Sequence, residues 1–321
     1  MRISKSFLTA TSIFCATSSL AANRLEPKVQ KHVDRARAAA GAEYGRIMPG
    51  LCPGQGPVAN MAVNRDQRDS WYKAPAKVFD NLYYVGQSTV SAWAIKTSEG
   101  IILIDALFDY SVQPEIIEGL EKLGVDPSTI RYVIVTHGHF DHWGGAKLLK
   151  DRGARIIMGA ADWTLMENGK GGKGEMPRRD IMVDKRQSLT LGDTTIDIVP
   201  TPGHTPATLS VIFPVKDGSK SHVAAIWGGT GLGARQDVQA FRNYADSSRM
   251  FMGVTREAKV DIPLSNHPIV DQTFAKIALL QARKPGAPNP FVRGLASQHN
   301  LLTLAAECAD AQRLNRNVRI R

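Results

Sequence analysis

The sequence predicts an α/β fold in which two sheets pack face to face with helices on their outer surfaces. Three observations predict it. Short apolar runs rich in β-branched residues alternate with stretches of helical spacing, and this happens twice, each half passing from several successive strands into strand and helix in turn. A chain of 321 residues, 43% hydrophobic and 22% charged, can bury roughly three quarters of its unfolded surface, which excludes disorder, collagen-like repetition and a disulfide-dense mini-fold. No short internal repeat or low-complexity tract interrupts the pattern.

Residues 1–6 carry Arg2 and Lys5, and residues 7–20 are apolar and uncharged. Ser19 and Ala21 supply the small positions of a signal-peptidase cut before Ala22, so residues 1–21 read as a secretory signal peptide. The expected location is secreted or periplasmic, with an organellar transit peptide as the alternative because the segment holds Ser and Thr but no acid. The apolar run is shorter than the ~18 to 20 residues that span a bilayer, and no stable membrane insertion of the mature chain is expected. Residues 22–75 read as an N-terminal accessory segment, a helix over 28–40 followed by a turn-rich stretch over 49–57.

Residues 76–321 read as the catalytic domain. Strands are expected over 82–85, 91–97 and 100–104, and Ile116, Ile117, Leu120 and Leu123 give helical spacing over 112–123. A strand over 132–135, a helix over 144–152, a strand over 155–158 and a helix over 160–166 follow. The second half repeats the alternation, with strands over 188–191, 195–199, 208–213 and 222–227 and helices over 237–259, 271–283 and 297–314.

Lys and Arg number 40 against 30 Asp and Glu, a net charge of +10, but the cations are spread along the chain and select no partner by themselves. A small-molecule substrate is expected and a nucleic acid is not, because a signal peptide is present and no added RNA-binding module is evident. Of 3 Cys, Cys15 would leave with the signal. Cys52 and Cys308 would then share an oxidising compartment, either as a disulfide or as two separate buried thiols.

The informative stretch is Thr136-His137-Gly138-His139-Phe140-Asp141-His142-Trp143, directly after an apolar strand and before a helix. Three imidazoles and a carboxylate within six positions would each need a partner to offset burial, and a divalent metal supplies one for all of them. His137 and His139 alternate on an extended turn while Asp141 and His142 swing round the helix start, so two neighbouring metals suit the four better than one. Of the 8 His, His204 and His267 also lie in turns just after apolar strands, where they can complete such a site. His32, His222 and His299 read as exposed or capping residues.

This pattern, H-x-H-x-D-H with a later Gly203-His204-Thr205 and the loop His267, resembles the metallo-beta-lactamase superfamily over residues 71 to 283 or so. The resemblance implies a four-layer αβ/βα sandwich with metals at one edge, and Asp105 supporting the metal loop from behind. Trp71, the 78–86 opening and the 191–206 block resemble the third subclass of zinc beta-lactamases. Carried over, His137, His139 and His204 would hold a first Zn(2+), and Asp141, His142 and His267 a second. The implied activity is that of a dinuclear zinc hydrolase in which a metal-held hydroxide, oriented by Asp141 as the catalytic residue, opens a cyclic amide. A beta-lactam is the foremost substrate, implying antibiotic resistance, and a lactone or other small ester is the alternative. Thioester hydrolases and lactonases of this superfamily carry a bridging Asp where this chain reads Ala225-Ile226-Trp227-Gly228-Gly229-Thr230-Gly231, which favours the lactamase-like arrangement. Thr230 stands near the Ser of that subclass, and Lys170, Lys173 and Arg178, on a glycine-rich basic loop, are candidates to pair with a substrate carboxylate. Trp93 and Gln87 are further candidates to line the pocket.

Overall fold

Twelve strands divide between two sheets in this computed structural model, which describes residues 25–55, 63–232 and 236–319; the expected signal peptide lies outside them. The first sheet holds β1 (Ala76–Phe79), β2 (Leu82–Tyr84), β3 (Trp93–Thr97), β4 (Gly100–Ile104), β5 (Ile130–Ile134), β6 (Arg155–Gly159) and β7 (Ile181–Val183) in sequence order. Pairing is antiparallel from β1 to β4 and parallel from β4 to β7. Parallel neighbours need crossovers, and helical segments supply them, among them Glu118–Lys122, Ala146–Asp151 and Ala160–Glu167. The second sheet follows with β8 (Gln187–Leu191), β9 (Thr194–Pro200), β10 (Leu209–Asp217), β11 (Lys220–Trp227) and β12 (Ile262–Ser265), ordered β12-β11-β10-β9-β8. Only β11 and β12 run parallel there, joined through the helix Val238–Glu257.

Strand alternation sorts the side chains into three cores. Ile102, Ile104 and Ile134 of the first sheet face Ile198, Val211 and Ile226 of the second. Leu103, Val133 and Val135 point the other way, under the crossover segments. On the far side of the second sheet, Ile212, Ala225 and Trp227 pack beneath three helices, Pro27–Tyr44, Val238–Glu257 and Gly294–Arg319. The result is the four-layer αβ/βα sandwich. The N-terminal helix shares its core with the C-terminal one, and Cys52 and Cys308 form a disulfide between them with a Cα–Cα distance of 4.4 Å. Among the described residues no helix is long and apolar enough to cross a membrane.

Two expected helices are broken. That over 112–123 starts as a wider π-turn, Val112–Ile117. That over 271–283 is interrupted at Gln272, whose φ is 59°, where Asp271 turns back to accept from Ser265 N and Thr273 N and the chain restarts as a new helix, Thr273–Gln281.

The sheets meet at one rim. Pro200 at the end of β9 lies opposite Leu209 at the start of β10, and Trp227 at the end of β11 lies opposite Ser265 at the end of β12. Leu209 N donates to Thr136 O just beyond β5 at 2.7 Å, which binds the first sheet's edge to the second's.

Candidate metal centre

His137, His139, Asp141 and His142 leave β5 at this rim, His204 follows β9 and His267 follows β12. His204 Nε2 lies 3.1 Å from both His137 Nε2 and His139 Nδ1. His137 Nδ1 must donate to Gly228 O (2.9 Å) and His204 Nδ1 to Gly231 O (2.7 Å), since a carbonyl only accepts. The facing Nε2 atoms of these two rings therefore present lone pairs to one another. Burial first, then the neighbouring imidazoles, lower all three rings below the ordinary histidine range, His204 to about 3. No proton settles the repulsion at neutral pH, so a cation is the species that fits. Donors bound tetrahedrally at roughly 2.0 to 2.1 Å from one ion stand about 3.3 Å apart, close to what the rings show.

The second cluster adjoins the first. His142 Nδ1 donates to Asp105 Oδ2 (2.8 Å) and His267 Nδ1 to Thr89 O (2.8 Å), leaving each Nε2 toward Asp141 Oδ2 at 3.2 and 4.0 Å. Buried His142 Nε2 has no hydrogen-bond partner among the described residues. Burial acts to raise the Asp141 carboxyl, but His142 outweighs it and holds the group well below the usual carboxylate range. Burial likewise acts to lower His142, and Asp141 and Asp105 outweigh that, lifting it to about 10. This spot therefore favours positive charge. One donor atom from each of His137, Asp141 and His142 falls within 4.8 Å of the others, while His267 adjoins that group, its ring centroid 5.0 Å from that of His142 and its Nε2 4.0 Å from Asp141 Oδ2.

Buried side chains brace both clusters. Asp105, at φ 64°, accepts from Thr136 N (2.7 Å) and Thr136 Oγ1 (3.0 Å) as well as from His142. Asp162 accepts from Gly138 N, Thr205 Oγ1 and Ala207 N. Asn266 Nδ2 donates to Gly228 O at 2.7 Å. The sequence reading missed Asp162 and Asn266. Asp162 is an acid on the buried side of an otherwise apolar helical turn, and Asn266 is the polar neighbour of His267, the one signal each offers.

The metal donors open into a cleft of about 350 Å³. Its walls include Ile47, Pro49 and Gly50 from the accessory segment, Leu232 beyond β11 and Ile269 beyond β12, with Arg46 and Thr230 as polar members. Thr230 Oγ1 donates to Asn266 Oδ1 at 3.2 Å. Lys170, Lys173 and Arg178 are exposed and do not line this cleft. The glycines of their loop press on the metal turn's outer side, Gly171 on Gly138 and Gly172 on Phe140. Trp93 and Gln87 are fully buried outside the lining, Trp93 Nε1 donating to Ser265 O. Of the remaining imidazoles, His32 pairs with Glu307 and His222 with Asp261.

Residues 85–217 match the model of the metallo-beta-lactamase superfamily. A hydroxyacylglutathione hydrolase of Anaeromyxobacter dehalogenans is 29% identical over 166 residues, which is 50% of this chain and 55% of that protein. A metallo-beta-lactamase type 2 of Bacillus cereus is 31% identical over 134 residues, 41% of this chain and 50% of that one. The chain thus spans about half the length of these curated relatives. The crystal structure of a subclass B3 metallo-beta-lactamase of Bradyrhizobium japonicum superposes with a TM-score of 0.66 at 29% identity, covering 78% of this chain and 97% of that one.

Proposed function

We propose that this chain, whose residues 85–217 are a metallo-beta-lactamase superfamily domain, is a dinuclear zinc hydrolase that opens a cyclic amide, a beta-lactam before all others. The observation that carries the reading is the set of facing imidazole lone pairs beside an ionised, partly accessible carboxylate at the floor of a cleft. His137, His139 and His204 would hold one ion, and Asp141, His142 and His267 the other. A His-rich set without thiolate suits Zn(2+). When bound, such ions lower the pKa of water toward neutrality and polarise a carbonyl.

The chain's own groups do the rest. Asp141, ionised and open to the cleft, accepts a hydrogen bond from the attacking water and aims it. Asp105 fixes the tautomer and tilt of His142, and Gly228 O and Gly231 O do the same for His137 and His204. Ile47, Leu232 and Ile269 keep bulk water from the reacting carbonyl.

Likeness to the subclass B3 enzyme and the lack of a carboxylate over 225–231 support a lactam over an ester. Turnover of such antibiotics would confer resistance. Likeness to the hydroxyacylglutathione hydrolase supports the second reading, a small ester, lactone or thioester. The disulfide supports the proposed secreted or periplasmic location, because such bonds persist in oxidising compartments.

The test combines metal analysis of purified protein with nitrocefin and a lactone and thioester panel, run with and without chelator. Two zinc ions per chain and chelator-sensitive nitrocefin turnover are expected. Turnover confined to esters would replace the lactam reading, and full activity in a His139→Ala, Asp141→Ala double mutant would end both.

A further inference from the structure

We infer that Arg46 receives a carboxylate of the substrate, which makes the N-terminal turn Gly45–Gly50 the specificity-determining wall of the cleft. The inference rests on the hydrolase reading above and narrows its substrate to acids.

Arg46 is the one Lys or Arg among the described residues that lines the cleft holding the metal donors. It also borders an adjoining hollow of about 350 Å³ floored by Ser88, Thr89 and Phe274, so it stands where the two spaces meet. Its side chain is exposed and makes no hydrogen bond or ion pair with any described residue. Other arginines of this layer are occupied, Arg35 with Glu307 and Arg293 with Glu43. An unpaired guanidinium at the mouth of a cleft is a planar fork of donors matched to a carboxylate.

The backbone beneath it is fixed. Ile47 and Met48 are buried in the outer core, Leu232 N donates to Gly50 O at 3.3 Å, and the disulfide at Cys52 anchors the end of the turn. A wall held this way costs little ordering when substrate arrives. The competing donors are engaged or remote: the Thr230 hydroxyl is given to Asn266, and Lys170, Lys173 and Arg178 lie outside the lining. Asp141, the cleft's one described acid, faces His142 and His267.

The test has two arms on the full-length, zinc-loaded protein. In the first, a lactam acid and its methyl ester are compared for wild type, Arg46→Ala and Arg46→Lys. Arg46→Ala should raise KM for the acid about tenfold, with kcat and the ester's KM nearly unchanged and Arg46→Lys intermediate. In the second, calorimetry measures binding of mercaptoalkanoates of increasing length and of their methyl esters. Wild type should prefer the acid at some chain length, and Arg46→Ala should erase that preference. Equal binding of acid and ester at every length in wild type, or equal weakening of both in Arg46→Ala, overturns the assignment. Loss of lactam turnover with retained acid preference would remove the reaction reading and keep Arg46; turnover without acid preference would do the reverse.

Discussion

Thr205 Oγ1 donates to the buried carboxylate of Asp162 at 2.6 Å, and through that bond the loop bearing His204 is fastened to the helix after β6. The same carboxylate accepts from Gly138 N at 2.8 Å, between His137 and His139, so one side chain sets the spacing of all three rings. Asp162→Ala should lower zinc affinity by roughly 10- to 100-fold while the sheets stay folded, read by competition with a chromogenic chelator and by circular dichroism. Unchanged affinity would mean that the strands alone position the imidazoles.

Gly228 admits no side chain. A Cβ there would lie 1.8 Å from Leu209 O, while its own carbonyl holds His137 Nδ1. Gly228→Ala should push the starts of β10 and β11's end apart, costing about 1–3 kcal/mol in denaturant unfolding and lowering zinc content with it. A variant with native stability and full metal would show that this rim yields freely.

Glu115 is fully buried, with Oε1 accepting from Lys73 N at 3.0 Å and Oε2 unpartnered among the described residues. Burial raises its carboxyl from 4.5 to about 8. The folded chain thus keeps a proton that the unfolded chain releases, so this contribution to stability is whole below pH 4.5 and drains away as pH climbs through 8. The limiting slope is about 1.4 kcal/mol per pH unit. Melting curves across that range should fall for wild type and flatten for Glu115→Gln; parallel curves would assign the slope to other groups.

Reduction, or Cys308→Ser, should cost about 2–5 kcal/mol of stability. Zinc content should stay at the wild-type value, because no metal donor lies on either cysteine's element, while KM for an acidic substrate should rise as the turn carrying Arg46 loosens. Calorimetric melting, metal analysis and steady-state kinetics together separate these effects.

Local signals made much of the centre readable. His137 to His142 form a single burst after an apolar strand, and His204 and His267 each follow a strand in a turn. That these segments share a rim depends on register, Pro200 beside Leu209 and Trp227 beside Ser265, and single-strand patterns carry no register. Asp162 was hidden because a helical acid normally faces water, and its buried setting arises from partners more than 20 residues away in both directions or along the chain to Ala207. Arg46 was hidden because its place depends on packing between the first and last helices, contacts that no local window contains. The break at Gln272 depends on Asp271 reaching back to Ser265, a bond that competes with helix continuation.

All six side chains that converge at the rim lie between His137 and His267, whereas the covalent anchor of the turn presenting Arg46 is Cys308, near the far end. Synthesis runs from the N-terminus, so a nascent chain carries all six candidate metal donors before the turn bearing Arg46 gains its covalent anchor. Throughout that interval the thiol of Cys52 waits without its mate, and the loop of 256 residues closes only when the last helix arrives.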